Sequence, residues 1–142
     1  MLGRKNICIL IIVVLLILIS LSGCTGLGLK TAQLEISFDP DPVPCENGHQ
    51  YWDVIISEIN GIGVNLKTET QDIYIGDQKV ASFFYDEAWM QEHLGSSYLP
   101  AFSSMVISAG CICEVTHEVF TFTGIDDNGH EVETTADLEL MD

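Results

Sequence analysis

The side chains in this chain that could do chemistry are 21 carboxylates, four histidines and five cysteines. The densest group is Asp126-Asp127-Asn128-Gly129-His130-Glu131, with oxygen ligands two apart and a glycine at the bend, as at the start of a calcium loop. A full loop ends on a twelfth-position glutamate, but here that position is Asp137, deep in a strand-like run. A hairpin turn explains the same residues, so Asp126 and Asn128 are weak metal candidates and no cofactor is expected. Cys111 and Cys113 lack a second ligand pair at zinc-finger spacing. His49, His93, His117 and His130 are scattered and share no motif. There is no G-x-S-x-G elbow and no phosphate-binding glycine loop. The expected protein is not an enzyme, and a hydrolase ranks last among its readings.

The aromatics are more informative. Residues 87–94 read as a short helix, with Asp86 as N-cap and Gly95 just past its end. Tyr85, Trp89 and His93 then share one helix face. Tyr85, Trp89 and Tyr98 form the candidate contact surface, since aromatics concentrate in binding hot spots. The competing role is a helix that caps the open end of the domain. Trp52 lies in a strand-like run and reads as core.

Around the helix the hydrophobic period is two. Leu34, Ile36 and Phe38 alternate with Glu35, Ser37 and Asp39, and Pro40, Pro42 and Pro44 end that strand. Residues 51–59, 63–70, 72–75, 79–85, 105–108 and 114–123 read as further strands, with turns at Asn60-Gly61 and Gly76-Asp77. In the last strand Val132, Thr134, Ala136, Leu138 and Leu140 face one way. Val115, His117 and Val119 set one parity while Phe120 and Phe122 set the other, which predicts a β-bulge near Val119–Phe120.

The first residues differ in kind. Arg4 and Lys5 precede an apolar run from Ile7 to Ile19, too short to span a bilayer comfortably. Leu21-Ser22-Gly23-Cys24 follows, and it resembles the lipobox of bacterial lipoproteins. That resemblance implies a signal peptide over 1–23, a diacylglyceryl group on the Cys24 thiol and a tether over 24–31. The expected location is therefore the cell membrane or outer membrane, reached by export and held by lipid. From Cys24 on, three basic residues against 21 acidic ones give a formal charge of −18. Such a field repels phosphate backbones, so nucleic acid is an unsuitable partner.

Seven or so short strands with frequent turns point to an all-β sandwich over 32–142, an immunoglobulin-like Greek key with one helix near 87–94, ahead of a jelly roll or small barrel. Residues 36–44, 58–64, 94–101 and 123–129 also resemble bacterial cell-surface immunoglobulin-like or fibronectin-type domains. That resemblance implies a scaffold and transfers no active site. In such a topology Cys45 stands at the same end as Cys111 and Cys113, so a bridge from Cys45 to either is expected. The functional expectation is a surface lipoprotein whose sandwich contacts a protein or glycan or supports an assembly. An accessory or ligand-binding subunit of a membrane complex comes second.

Overall fold

The computed structural model describes residues 29–140. The signal segment, Cys24 and most of the tether lie outside the described residues. Eight strands and one helix follow in order: β1 (Leu34–Asp39), β2 (His49–Glu58), β3 (Val64–Ile75), β4 (Gln78–Asp86), α1 (Glu87–Leu94), β5 (Tyr98–Leu99), β6 (Ser104–Ile112), β7 (His117–Asp126) and β8 (Glu131–Glu139). They form two antiparallel sheets, β1-β2-β6 and β4-β3-β7-β8, with the two-residue β5 added to β3. The chain changes sheet between β2 and β3, between β5 and β6, and between β6 and β7. This is an immunoglobulin-like Greek-key sandwich.

The core lies where the two inner faces meet. Val54 and Ile56 of β2 face Leu66 of β3, Phe120 and Phe122 of β7 and Leu138 of β8, all fully buried. β1 lies over β8, and a parallel bridge from Val43 to Leu140 closes that flank. On the other flank β6 ends its sheet while the facing sheet continues to β4. No residue of β4 is buried, and Phe83 and Phe84 are 45% and 65% exposed. The sandwich is closed on one side and open on the other.

The helix forms as its sequence signals indicate. The Asp86 carboxylate accepts a hydrogen bond from the Trp89 N–H at 2.9 Å, and Gly95 ends the helix in the left-handed region at φ 78°. Met90, on its inner side, is fully buried.

Two details of the strand reading are corrected. β3 is one twelve-residue strand rather than two, because it pairs with β4 and β7 without a break through Gln71; a register shift against β7 lies earlier, between Leu66 and Thr68. No bulge interrupts β7 at Val119–Phe120: pairing runs unbroken from Glu118 to Thr121 on both sides. The apparent phase change disappears because Glu118 itself points inward, in step with Phe120 and Phe122.

Cys45 is bonded to Cys113, which closes the open end of β2 onto the β6–β7 connection; Cys111 is free. The bridge spans 68 residues, which corresponds to about 4 kcal/mol in the chain-entropy model. Replacing both Cys45 and Cys113 by Ala should lower the urea-unfolding free energy by about that amount. A loss below about 1 kcal/mol would show that the unfolded chain gains little from losing the link.

Candidate functional site

A strongly acidic chain must decide which carboxylates to bury. Four in this sandwich are almost wholly inside: Glu58, Glu69, Glu118 and Asp126. They divide into two kinds.

Glu58 and Asp126 are structural. Glu58 Oε1 accepts from the N–H groups of Gln33 (3.3 Å) and Asn60 (2.8 Å), and its Oε2 from those of Gly61 (2.8 Å) and Phe102 (3.0 Å). Burial alone would raise its pKa, but these four bonds outweigh it and hold the group below the ordinary carboxylate value. Asp126 Oδ1 accepts from Asn128 and His130 N–H, and its Oδ2 from Ala32 N–H and His130 Nδ1. Its pKa is likewise lowered against the effect of burial. The Asn128 amide donates to the Lys30 carbonyl at 2.8 Å. The supposed calcium loop thus directs its oxygens to the protein's own N–H groups. Among the described residues no group of three or more His, Cys, Asp or Glu side chains converges as a metal site.

Glu69 and Glu118 are the other kind. Glu69 follows the β3 register shift and points inward opposite Tyr85 of β4 and Phe122 of β7. Its Oε2 is buried without a hydrogen-bond partner, and burial pushes its pKa up to about 7. Glu118 Oε2 accepts from Gln71 Nε2 at 2.5 Å, while its Oε1 has no partner; burial raises this group as well. The Cys111 thiol lies beside Glu118 and contacts Gln50 Oε1 at 3.6 Å. Burial, then the Glu118 charge, push that thiol up to about 12, so it remains a thiol and a poor nucleophile.

Glu69 stands at the open flank. A cavity of about 230 Å3 lies between β6 and the β3–β4 side, with Glu69, Tyr85, Trp89 and Phe120 on one wall and Val54 and Ile107 on the other. Along its rim four rings form a row: Phe83 to Tyr85 at 6.5 Å between centroids, Tyr85 to Trp89 at 4.3 Å, and Trp89 to His93 at 4.5 Å. β4 turning into α1 at Asp86 makes this row possible. Three hollows are larger, of about 290, 400 and 580 Å3, and the last two are bordered by Lys67, Asn65, Glu87, Tyr98 and Asp127. There Glu87 binds Lys67 at 2.7 Å and Asn65 at 3.0 Å, and Tyr98 donates to Asp127 at 2.9 Å.

The structure therefore brings Tyr85 and Trp89 together and assigns Tyr98 to a separate neighbourhood beside Gly63 and Asp127. It also adds Glu69, Gln71, Glu118 and Phe83, which the sequence reading passed over. One signal was available for Glu118: it shares parity with Phe120 and Phe122. Glu69 had none, because the register shift that turns it inward leaves no mark on the residue pattern.

The chain matches no protein-family model and no curated protein sequence. It is similar in fold to the crystal structure of the putative ApaA protein from Bordetella pertussis, at 13% identity and TM-score 0.50, covering 79% of this chain and 97% of that one. A structural-genomics target solved by X-ray is 12% identical with TM-score 0.46, covering 76% and 86%. The CARDB domain of a Pyrococcus furiosus protein, solved by NMR, is 14% identical with TM-score 0.42, covering 80% and 98%. At such identities the likeness concerns the fold alone.

The two kinds of carboxylate should respond oppositely to one substitution. Glu58→Gln puts an amide NH2 against backbone N–H donors and should cost about 2–3 kcal/mol. Glu69→Gln removes an unpaired charge and should stabilise the protein near neutral pH. A glutamate ionises near 4.5 when unfolded and near 7 in this position. The folded state therefore holds the extra proton in that window, and the stability it confers is full below about 4.5 and lost as pH rises through about 7. The difference corresponds to roughly 3 kcal/mol. Wild-type Tm should fall between about pH 5 and pH 8 while that of Glu69→Gln falls much less. Parallel Tm profiles would refute this placement of Glu69.

Proposed function

We propose that this chain is an exported lipoprotein whose sandwich serves as a non-catalytic contact module. Residues 1–23 act as the signal peptide, acylated Cys24 holds the protein to membrane lipid, and the open flank meets a protein or glycan partner at the cell surface. The row Phe83–Tyr85–Trp89–His93 beside the cavity carries this reading. Its rings are partly exposed and in contact with one another, two on the edge strand β4, which has no further strand partner among the described residues, and two on the helix that follows it. Tyr and Trp in such a setting give contact area at low entropic cost. The Cys45–Cys113 bridge supports export, since disulfides persist in oxidising compartments. A Cys111 thiol held in its protonated form and an Asp126 carboxylate occupied by backbone N–H groups are in keeping with a contact module.

A second reading, ligand delivery to a membrane complex, is favoured by the cavity under Trp89. The two readings differ in what occupies the flank, not in where it lies.

Cys24→Ser should abolish incorporation of tritiated palmitate and release the protein from the membrane fraction; unchanged labelling would sink the anchor. Cross-linking on intact host cells, read by mass spectrometry, should give a reproducible neighbour with the wild type and lose it with Trp89→Ala. Recovery of the same neighbour from Trp89→Ala would place the contact elsewhere.

A further inference from the structure

The cavity at the open flank is lined by Glu69, whose Oε2 is buried and accepts no hydrogen bond from the described residues. We infer that it takes an alkylammonium group, with Glu69 as counter-ion and Tyr85 and Trp89 as an aromatic corner. The inference rests on the contact-flank reading above and names the chemistry of what enters there.

Charge supplies the first argument. A buried carboxylate oxygen without a donor is costly, and such groups are normally paired. Among the described residues the only lysines are Lys30, Lys67 and Lys79, and there is no arginine. Lys67 is held by Glu87 at 2.7 Å and Lys79 by Asp72 at 3.1 Å, both outside the cavity. Lys30 belongs to the lead segment, where Asn128 holds its carbonyl. Among the described residues no lysine or arginine is left to pair with ionised Glu69, so an ammonium partner would come from another molecule.

Shape supplies the second. About 230 Å3 falls below the roughly 300–1,000 Å3 of sites for whole drug-sized ligands. It suits a head group with a few methylenes. Val54, Ile107 and Phe120 offer apolar surface for the methylenes, while Glu69 and the Tyr85–Trp89 corner, 4.3 Å between centroids, face the charge. The packed Tyr85 and Trp89 rings wall the site beside Glu69 and keep water from it, which strengthens the attraction between the carboxylate and an ammonium group. The net charge of −16 draws cations towards the surface at long range.

An alkylammonium group could come from a free amine or from a partner's lysine side chain. The test follows the Trp89 indole N–H by NMR at about pH 8, where Glu69 is largely ionised. Probes are n-butylammonium chloride, neutral n-butanol and Nα-acetyl-lysine methylamide, titrated at constant ionic strength by replacing sodium chloride. Saturable shifts with n-butylammonium are expected, at least about tenfold weaker with Glu69→Gln and with n-butanol. Tyr85→Leu should also weaken binding, which keeps the test decisive if either variant is misfolded. Equal or tighter binding of the lysine derivative would identify a side chain as the source, and weaker binding a free amine.

No saturation by n-butylammonium at about 100 mM, undiminished binding by Glu69→Gln, or equal binding of n-butanol would each overturn the inference. The contact-flank reading would survive those results provided Trp89→Ala still lost its cross-linked neighbour. That separates the two failures.

Discussion

The functional geometry of this domain depends on a mismatch between its sheets. Three strands, β1-β2-β6, pack on a sheet whose path is four strands long, β4-β3-β7-β8. Stacking β1 over β8 completes one flank, and Val43 with Leu140 closes it. The surplus strand β4 then falls on the other flank, where only the margin of β6 and the helix lie above it. The Tyr85 and Trp89 rings, the cavity and Glu69 stand along this strip. A sandwich with a further strand beside β6 would cover the strip with apolar contacts and leave no room for a partner. The helix only partly fills the gap: Met90 enters the core while Trp89 stays at the rim.

Burying acids in so acidic a chain has two outcomes, and the local backbone decides between them. At the end where residues 30–33 enter, turns expose N–H groups that strand pairing leaves free. Glu58 and Asp126 collect these groups and become anchors. Between the sheets every backbone N–H of β3 and β7 faces a neighbouring strand, so a carboxylate there meets side chains only. Glu118 finds Gln71, and Glu69 Oε2 finds none. Acid pH threatens the anchors, because their lowered pKa values make their stabilisation present above the unfolded value and lost as pH falls. Alkaline pH burdens the interior pair. The two groups bound a window of best stability on opposite sides.

The sequence made the frame legible because alternation and turn chemistry are local. β1, β2, β8 and the Asp86–Gly95 helix fall where period two, proline, Asp86 and Gly95 put them. What escaped was non-local. The shift at Leu66/Thr68 arises from pairing with β7, and it turns Glu69 inward. In β7, taking Val115, His117 and Val119 as one inward parity led to a bulge that the ladder does not contain; Glu118 is buried in step with Phe120 and Phe122 instead. The aromatic cluster was half visible: helical spacing links Tyr85, Trp89 and His93, but Phe83 joins the row only through the β4 pleat, and Tyr98 leaves it because β5 attaches to β3.

The lead segment is tied to the sandwich before the first strand begins. Five hydrogen bonds fix residues 30–33 to the body: Asn128 to the Lys30 carbonyl at 2.8 Å, Asn60 to the Thr31 carbonyl at 2.7 Å, Ala32 N–H to Asp126 at 3.0 Å, Gln33 N–H to Glu58 at 3.3 Å and Ile59 N–H to the Gln33 carbonyl at 3.0 Å. The chain is thus held from Lys30 on, four residues ahead of β1 at Leu34. The residues that resembled a calcium loop, Asp126 and Asn128, therefore set the angle between the lead and the sandwich. Since β2 and β3 run between this end and the disulfide-bonded one, the aromatic row on β4 and α1 lies along the side of the body, not at its tip. A partner approaching that row would come alongside the domain.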